Sequence, residues 1–591
     1  MGRPTPKHKN IHMLLRLKAY FLEIWYLAGA DVQRLRLIFV LFLLVGLLDL
    51  VGLGLIGQYV ALAFGAAPTS PVLSASLRGV GMGFVGIALL LVFAMKAGLG
   101  IWANKRIFSM AGRIEANLRV ELLRRYQAMP YQAWAARNSS DYINAINVWA
   151  PQYARLVLMS LLRVSAEALV ACLILGFLFW VDPRAFLVLL ALIAGVTLLY
   201  DRILQKKNRA YAERFRAASS LVITDVRQAM DGIKEIRVLG AEEFFSDRIA
   251  RNGDALCSAQ ASSNTISNSS RYFLEFVVVV FAVLVPLMAS STGGRTVDLV
   301  PVLAIFGAGA MRLVTLFSLI TTTLTQLRFY RQVVHSLFKD LKQEVPKSRR
   351  EISDHPERDF SCISARKIGF SYLSASSPVF DDVDFTIKRG DKLVLLGASG
   401  AGKSTLVDLL LGILQPNRGS IEVTDSSGRL LGHSAAPYSV YLPQSTFLID
   451  DTVRRNVALG QDDAQIDEAL VREALQRTRL WEVVEALPQG LNTPLGDRGL
   501  RLSGGQRQRI AIARAFYLGK TVLFLDEATS AIDVKTEEAI LDDLLSSSDD
   551  LTVVLITHRV DIGHRFDRIY RVERGHVLEV TDEFRKNRST R

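Results

Sequence analysis

The chain has 591 residues, is 50% hydrophobic and carries a formal charge of +13, with a mean hydropathy of +0.25. A soluble protein of this length would fold into several domains and would rarely be so apolar. The composition therefore favours a basic protein at a membrane over one that binds nucleic acid. Three cysteines, odd in number and far apart, argue against a disulfide framework and make no metal spacing: Cys172, Cys257 and Cys362.

Six apolar stretches before residue 325 each come near the ~20 residues that a bilayer-spanning helix needs. An amphipathic segment, Met13–Ala30, precedes them and is predicted to lie on the membrane interface. The two long loops between spans are rich in Lys and Arg, which places them and both termini in the cytoplasm by the positive-inside rule. The predicted spans are Leu35–Leu62, Val80–Trp102, Leu156–Trp180, Ala185–Leu204, Tyr272–Ala289 and Leu299–Ile320.

These features predict three parts. Residues 1–340 form an all-α transmembrane domain with its interfacial helix and six spans. Residues 341–358 are charged and contain proline, and we expect a linker there. Residues 359–591 alternate strand-like and helix-like patterns, which is typical of an α/β domain.

Three basic residues lie where an apolar span should exclude charge: Lys96 in the second span, Arg271 at the start of the fifth, and Arg312 in the sixth. An ionised residue at membrane depth costs about 2.5–3.5 kcal/mol, so it normally faces a polar cavity or a partner. Counting along the helices places all three in the cytoplasmic-side part of the bundle. One interpretation is therefore a cationic substrate cavity that suits an anionic head group.

Each of these residues also has a simpler explanation. The lysine can snorkel to the inner interface. Arg271 can pair with Glu275 one turn on. Arg312 has no acid near it in sequence, although Asp49 and Glu167 could reach it across helices. Glu167 also follows an arginine by four residues, with which we expect it to pair within its own helix.

The segment Gly397–Ser404 fits G-x-x-x-x-G-K-[ST] at every required position. A strand-like apolar run precedes it and a helix-like run follows it, which is the context that this phosphate-binding loop requires. Glycines let the loop curl so that backbone N–H groups and the positive end of the helix converge on a polyphosphate. Lys403 is predicted to reach the β- and γ-phosphates, and Ser404 to hold Mg²⁺.

Further along the chain, four polar residues each end or follow an apolar, strand-like run. Asp526 and Glu527 end the apolar run from Thr521, where Asp526 fits an outer partner of Mg²⁺ and Glu527 a general base acting on water. Gln444 is placed to touch Mg²⁺ or the attacking water, and His558 to sense the γ-phosphate. Each residue alone would be explained as an ordinary strand-end or loop residue. The catalytic interpretation is stronger because all of them occur in one domain with the phosphate loop.

Two further motifs concern the nucleotide. Leu502–Gln506 reads Leu-Ser-Gly-Gly-Gln at the start of a helix-like segment and predicts a second anion cradle. A simple capping turn would explain Ser503 but not both glycines and the Gln. Tyr372 precedes the phosphate loop and could stack on adenine, an interaction worth about 1–3 kcal/mol, although ordinary packing is the alternative.

With these residues in view, the chain resembles the ATP-binding cassette transporters over essentially its whole length. The resemblance implies a multidomain fold: a six-helix transmembrane domain of exporter type, then an α/β P-loop nucleotide-binding domain with ATP and Mg²⁺ as cofactors. It adds Asp533, in a segment Ser530–Asp533 that matches the family's D-loop, and Thr493–Gly499, which looks like the exporter X-loop. The implied ATP-binding residues are Tyr372, Gly397, Ser399, Gly400, Ala401, Gly402, Lys403, Ser404, Thr405, Ser503, Gly504, Gly505, Gln506 and Asp533. The implied catalytic residues are Glu527, His558 and Gln444, and the implied metal ligands are Ser404, Gln444 and Asp526.

One membrane domain and one ATPase domain per chain imply a half-transporter that works as a dimer. In this family two ATPase domains pair head to tail, and each ATP lies between one subunit's phosphate loop and the other's signature. Neither the glutamate nor any signature residue is lost here, which favours a homodimer; Ile532, where the D-loop commonly has Leu, is the one departure from the family pattern. In exporters, short helices at the tips of the cytoplasmic loops press on the ATPase, and we expect them near Tyr131–Trp134 and Thr224–Gly232.

The membrane half is similar to bacterial lipid-linked oligosaccharide flippases in the Arg-x-x-Leu-Glu opening of the fifth span, the arginine of the sixth, and Gly232–Ile236. This resemblance implies ATP-driven flipping of an anionic lipid-linked glycan outward from the cytoplasmic leaflet of a bacterial inner membrane, with the ATPase domain in the cytoplasm. A lipid A-like glycolipid, a hydrophobic drug or a peptide is the alternative cargo. An ATP-gated channel or regulator is the alternative class, and the full catalytic set favours transport.

Overall fold

The computed structural model describes residues 18–29, 35–64, 82–291, 300–342, 360–372, 377–496, 499–527, 533–546 and 550–589. Residues 13–17 of the interfacial segment, residues 343–358 of the linker, residues 497–498 of the X-loop and residues 530–532 of the D-loop lie outside this part of the chain. The chain divides into two compact units, Met1–Ala128 with Arg137–Glu344, and Met129–Ala136 with Val345–Arg591. A short segment from inside the helical half thus groups with the C-terminal half.

Among the described residues, six helices are long and apolar enough to cross a membrane, as the hydropathy pattern predicts. Three of them run on far beyond their apolar stretches, with 47, 49 and 50 residues, because no proline interrupts the charged part that continues each span. At 1.5 Å per residue such a helix is roughly 70–75 Å long, more than twice the hydrocarbon thickness. The helices are α1 (Leu35–Phe64), α2 (Met82–Ala128), α3 (Tyr131–Ala135), α4 (Ser139–Val181), α5 (Pro183–Asp231), α6 (Ile233–Leu239), α7 (Glu242–Ser291), α8 (Val300–Phe329) and α9 (Arg331–Lys342), and residues 18–28 are also helical.

The breaks between these helices have local causes. Asp182 alone separates α4 from α5: its carboxylate accepts hydrogen bonds from the N–H groups of Arg184 and Ala185 at 2.9 and 3.2 Å, and proline occupies the first helical position. Within α4, two π-helical turns flank Pro151, which has no N–H to donate to the regular ladder. The connection between the predicted spans Leu156–Trp180 and Ala185–Leu204 is reduced to the single residue Asp182.

The second short helix lies later than predicted. The sequence places it near Thr224–Gly232, but α5 continues without interruption to Asp231, because the first breaker on this stretch is Gly232. The separate helix is α6, which ends at Gly240 in the left-handed conformation (φ 61°). The first short helix, α3, lies where the sequence predicts it.

The core of the first unit is apolar and joins five of the spans. Leu53 of α1, Val170 of α4, Leu189 of α5, Phe281 of α7 and Phe306 of α8 are all buried in one cluster. Close-packed side chains of this kind hold membrane helices together by dispersion, since lipid provides no hydrophobic driving force between them.

The second unit contains two sheets that position the candidate site. A four-stranded antiparallel sheet has the order β2-β1-β4-β5, and a six-stranded sheet has the order β10-β9-β3-β8-β7-β6. In the larger sheet β9, β3, β8, β7 and β6 are parallel, so their carboxyl ends meet at one edge. The strands are β1 (Cys362–Phe370), β2 (Phe380–Lys388), β3 (Lys392–Leu396), β4 (Arg418–Thr424), β5 (Leu430–Gly432), β6 (Ser439–Leu442), β7 (Val522–Asp526), β8 (Thr552–Thr557), β9 (Arg568–Glu573) and β10 (His576–Glu579).

Helices cover the larger sheet, and apolar clusters lie on both of its faces. The residues of β3, β7 and β8 are almost all buried, as expected of parallel strands with both faces covered. The helices of the second unit, besides α3, are α10 (Lys403–Leu410), α11 (Val453–Val457), α12 (Glu468–Arg477), α13 (Trp481–Glu485), α14 (Gly504–Leu518), α15 (Val534–Ser546) and α16 (Thr581–Ser589).

A buried ion pair joins α5 to α7 outside the apolar part of these helices. Asp225 is fully buried, its carboxylate pairs with Arg248 at 2.7 Å, and it accepts a hydrogen bond from the Asn252 amide at 2.5 Å. We expect Asp225→Ala to lower the free energy of unfolding by about 1.5–3 kcal/mol, because the ion pair with Arg248 and the hydrogen bond from Asn252 to a buried carboxylate are both lost. Thermal unfolding of the purified protein in detergent measures the loss.

The control is Glu213→Ala, on the same helix. Glu213 pairs with Arg209 at 3.7 Å, and both side chains are largely exposed. Such surface pairs contribute about 0–1 kcal/mol, so the melting temperature should change little. Equal losses in the two variants would contradict a structural role for the Asp225 pair.

Candidate functional site

The predicted phosphate loop connects β3 to α10 at the carboxyl edge of the larger sheet. Two of its glycines, Gly400 and Gly402, have φ of +79° and +103°, which side chains rarely adopt. A Cβ on Gly397 would lie 2.5 Å from the carbonyl oxygen of Val572, and one on Gly402 would lie 2.9 Å from the Phe380 ring. The loop therefore needs glycine for its conformation and for its close contacts.

Lys403, the first residue of α10, turns back into this loop. Its ammonium donates hydrogen bonds to the carbonyl oxygens of Gly397 and Ala398, both at 2.9 Å. Burial lowers the pKa of Lys403, and the nearby carboxylates of Glu527 and Asp526 act in the opposite direction. Only two neutral carbonyl oxygens bind the ammonium group, so a phosphate can replace them with little loss of binding free energy.

The acids at the end of β7 lie at the same edge of the sheet. Asp526 is buried and accepts a hydrogen bond from the Tyr441 hydroxyl at 3.1 Å. Burial raises the pKa of Asp408, on α10, to about 6, and the negative charge of Asp526 adds to the rise. Neither Tyr441 nor Asp408 is predicted as a site residue from the sequence. Their sequence context gives only weak indications of a role, namely a tyrosine in a short apolar strand and an acid in an apolar helix.

The carboxylate of Glu527 contacts the other two predicted catalytic residues. Its carboxylate accepts a hydrogen bond from the Gln444 amide at 3.0 Å and lies 3.2 Å from Nδ1 of His558. Its backbone is left-handed, with φ of 49°, a conformation that costs a non-glycine residue about 1–3 kcal/mol. The strands β6, β7 and β8 thus bring together three residues that are far apart in sequence.

Tyr372 lies beside the phosphate-loop helix. Its hydroxyl is 3.0 Å from the Thr405 hydroxyl, and its ring packs edge-on against Phe370, with 5.0 Å between the ring centroids. The side chain remains 38% exposed, which leaves surface for a base to stack on.

The Leu-Ser-Gly-Gly-Gln segment forms the start of α14. Ser503 accepts a hydrogen bond from the N–H of Gln506 at 3.2 Å, and the Gln506 side chain accepts one from the N–H of Ser503 at 2.8 Å. This capping box accounts for Gln506 as well as Ser503, which corrects the expectation that a cap explains only the serine. Gly504 and Gly505 at the helix N-terminus leave the anion-cradle prediction in place.

Asp533 precedes α15 and accepts a hydrogen bond from the N–H of Thr536 at 3.0 Å. That bond is the main reason why the pKa of Asp533 is lowered. The rest of the D-loop lies outside the described residues.

The first unit has an open cavity of about 680 Å³ along α2, lined in part by exposed apolar side chains such as Ile101 and Phe108. Its walls are partly apolar, and its polar lining comes from three helices. The polar lining residues are Lys96, Asn104 and Lys105 of α2, Glu167 of α4 and Arg312 of α8. A cavity of this size and mixed lining is typical of small-molecule and lipid sites.

The charges in this cavity form a network with both signs. Lys96 pairs with the buried carboxylate of Asp49. Arg312 pairs with Asp49 at 3.1 Å and with Glu167 at 3.0 Å. Two cations and two carboxylates from four spans therefore neutralise one another, as burial in a medium without water requires.

The predicted grouping of three cations is corrected in two respects. Arg271 does not line this cavity; it pairs with Glu275 at 2.7 Å on an exposed face of α7. Lys96 and Arg312 do line it, but each already has an acidic partner. Glu167 pairs with Arg312 instead of Arg163, whose guanidinium donates to Asn104 at 3.3 Å.

Comparison with known proteins assigns the family. The ABC transporter transmembrane region model matches residues 35–308, and the ABC transporter model matches residues 380–530. The ATP-dependent lipid A-core flippase of Burkholderia orbicola is 28% identical over 493 residues, covering 81% of this chain and 80% of that protein. The flippase of the same name from Photobacterium profundum is 28% identical over 484 residues, covering 80% of each chain.

A solved structure, described as a bacterial Atm1-family ABC exporter with ATP bound, superposes with a TM-score of 0.74 and covers 95% of this chain and 97% of its own. At 20% identity this likeness bears on the fold alone. The family models account for both halves of the chain and for the order of the motifs. The chain therefore belongs to the ABC transporter family, as a multi-pass membrane ATPase of exporter fold that carries one transmembrane region and one ATP-binding domain, that is, a half-transporter.

Proposed function

We propose that this protein is a homodimeric exporter of the bacterial inner membrane that uses ATP to flip an amphipathic glycolipid with an anionic head group outward. The observation that carries the substrate class is the cavity among the spans, where apolar walls meet a cluster of charged side chains. The lipid A-core flippase relatives support a glycolipid. A lipid-linked oligosaccharide shares the chemistry of such a glycolipid, since it also carries an anionic phosphate beside a glycan and a lipid tail. Its transport by this protein stays a prediction.

Hydrolysis follows from the contacts of Glu527. A carboxylate that accepts a hydrogen bond from Gln444 and lies beside His558 is held in one orientation, and it can polarise a water placed between it and the terminal phosphate. Its left-handed backbone fixes the direction in which the side chain leaves the strand. Gln444 and His558 act as positioning partners in this arrangement.

The side chains at the sheet edge fit Mg²⁺ and nucleotide. Ser404 offers a hydroxyl, Asp526 a carboxylate, and Gln444 an amide oxygen that remains open while its NH₂ group binds Glu527. Oxygen ligands of this kind, few in number and completed by phosphates and water, suit Mg²⁺. Bound Mg²⁺ supplies charge neutralisation on the phosphates. Lys403 can exchange its two loop carbonyls for phosphate oxygens.

The dimer is proposed because each chain supplies one phosphate loop and one signature helix. The signature, Ser503–Gln506, presents the N-terminus of the 15-residue helix α14, a place where an anion is stabilised. A second copy of the chain would bring this helix end to the phosphates held by the first.

The cavity keeps one charge that the network does not cancel. Lys105 lines it and has no ion pair among the residues that the structure describes. Together with the paired cluster of Asp49, Lys96, Glu167 and Arg312, this leaves the cavity with a net positive charge. An anionic head group at Lys105 with acyl chains along the apolar wall fits this distribution.

We expect Glu527→Gln to lower ATP turnover by roughly 10²–10⁴-fold, the usual contribution of a general base, while ATP binding is retained. Phosphate release and nucleotide affinity, measured in the same detergent, separate the two effects. Glu482→Gln, an exposed acid on α13, is the matched control and should behave as the unchanged protein. Normal turnover in the Glu527 variant would remove it from the base role.

A mixed dimer tests the shared site. In a head-to-tail dimer, a Lys403→Ala chain paired with a Gly505→Trp chain retains one intact site, because both defects fall on the other site. Turnover in the co-expressed, doubly tagged preparation should exceed that of either single variant. A mixed preparation no more active than the two variants alone would argue against sites shared between subunits.

Substrate recognition is tested at Lys105. In phosphatidylethanolamine vesicles, Lys105→Gln should raise the lipid A concentration for half-maximal ATPase stimulation by roughly tenfold, since one charge-assisted hydrogen bond is lost. Arg271→Gln, a cation outside the cavity, should have no such effect. A parallel series with polyprenyl-pyrophosphate-linked oligosaccharide distinguishes the two glycolipids, and equal responses of the two variants would contradict head-group binding at Lys105.

A further inference from the structure

Tyr441 lies on β6, the strand at one end of the larger sheet, beside the strand β7 that ends at the site acids. The two strands are parallel, and Tyr441 is opposite Phe524. Residues two apart on a strand point to the same face, so Tyr441, Phe524 and Asp526 share one face of the sheet. Leu406 and Leu410 of α10 pack in the same apolar cluster as Phe524 and Tyr441. This face is therefore the one that the phosphate-loop helix covers.

The strand register explains how far this tyrosine reaches. Two residues along a strand correspond to roughly 6.6 Å, which a tyrosine side chain can span when it points toward the carboxyl edge of the sheet. The Tyr441 hydroxyl donates a hydrogen bond to Oδ2 of Asp526 at 3.1 Å. A phenylalanine at this position would fill the same space but could not form this bond.

The orientation of the Asp526 carboxylate depends on this hydroxyl. Among the residues that the structure describes, no other side chain donates a hydrogen bond to Asp526, and no basic group forms an ion pair with it. Burial raises the pKa of Tyr441, and the nearby Asp526 and Asp408 add to the rise, so the hydroxyl keeps its proton and remains a donor. The bond engages Oδ2, and Oδ1 is left for a cation or for a water bound to one.

A hydrogen bond to a metal ligand affects how well the metal binds. A carboxylate that is free to rotate loses side-chain entropy when a cation binds, and one that is already held loses less. Removing such a partner costs about 10–100-fold in metal affinity or activity. A hydroxyl suits this role better than a basic side chain, because it orients the carboxylate without cancelling the charge that attracts the cation.

We propose that Tyr441 is a positioning residue for the divalent cation of the ATP site: its hydroxyl holds Asp526 in the orientation that binds Mg²⁺ or a water on Mg²⁺. The proposal rests on the proposed Mg²⁺ site at Asp526. The competing interpretation is that the hydroxyl only satisfies a buried carboxylate and so stabilises the fold. The two interpretations differ in whether loss of the hydroxyl changes cation binding or stability alone.

Tyr570 provides the matched control. It lies on β9 of the same sheet, is buried, and its hydroxyl donates a hydrogen bond to the carboxylate of Glu579 at 3.0 Å. Glu579 ends β10 and is not one of the site acids. Tyr570→Phe therefore removes the same kind of hydrogen bond without changing an acid of the ATP site.

The full-length protein, purified in detergent, is compared as Tyr441→Phe, Tyr570→Phe and Asp526→Asn. Equilibrium dialysis against AMP-PNP, a non-hydrolysable ATP analogue, measures nucleotide affinity in EDTA and in Mn²⁺, which takes the same oxygen ligands as Mg²⁺. The EPR signal of free Mn²⁺ shows how much cation the protein–nucleotide complex retains. Thermal unfolding without nucleotide measures the structural effect of each change. None of these measurements needs turnover or a transport substrate.

We expect Tyr441→Phe to weaken Mn²⁺ binding to the protein–nucleotide complex by roughly tenfold, the lower end of the range for partners of metal ligands, and to leave AMP-PNP affinity in EDTA unchanged. Tyr570→Phe should keep both affinities, although both tyrosine variants should lower the melting temperature by similar amounts. Asp526→Asn should weaken Mn²⁺ binding at least as much as Tyr441→Phe.

Normal Mn²⁺ binding in Tyr441→Phe, beside weakened binding in Asp526→Asn, would overturn the proposal and leave the Mg²⁺ site in place. Equal losses of Mn²⁺ binding in the two tyrosine variants, or an equal loss of AMP-PNP affinity in EDTA for Tyr441→Phe, would show an effect on the fold and also overturn it. Normal Mn²⁺ binding in Asp526→Asn would overturn the assignment of Asp526 and the proposal together.

Discussion

The cost of removing a charge from water shapes this molecule more than any other single constraint. An ionised side chain that leaves water needs an opposite charge and hydrogen bonds around it, or it destabilises the fold by several kcal/mol. The chain meets this need at separate points along its helical half: Asp49 with Lys96 and Arg312 among the spans, Asp225 with Arg248, and Asp340 with Arg137. Each group joins helices that are distant in sequence, so each also fixes how those helices meet.

At the nucleotide site the same constraint is left only partly satisfied. Lys403 is held by two carbonyl oxygens instead of an acid, although Glu527 and Asp526 are near enough to affect its pKa. Burial raises the pKa of Asp408 to about 6, and the nearby Asp526 adds to the rise. Unpaired charges of both signs at one edge of a sheet are unfavourable in isolation, and they become favourable when a polyphosphate and a cation bind together.

How far the sequence predicts this site depends on whether the motif is local. The phosphate loop, the acids at the end of β7 and His558 can be predicted because glycine spacing and strand-end positions are local features, and parallel strands place their carboxyl ends together. The six spans follow from hydropathy in the same way. Partners across helices do not: Glu167 has Arg163 four residues before it, yet it pairs with Arg312 of α8, because tertiary packing decides which guanidinium is nearer. The capping box of Ser503 and Gln506 shows that one pair of residues can satisfy a local rule and still belong to a functional motif.

Asp340 shows what directional bonds add to apolar packing inside the first unit. Apolar contacts are non-directional, so helices held by them alone can slide past one another. One guanidinium nitrogen of Arg137 donates to both oxygens of Asp340, and the Tyr126 hydroxyl donates to the same carboxylate from α2. Charge-assisted hydrogen bonds have a defined length and direction, so these contacts fix the place at which α9 meets α2 and Arg137. Apolar contacts supply most of the packing energy of the first unit, and its few buried charge pairs determine which arrangement of the helices is adopted.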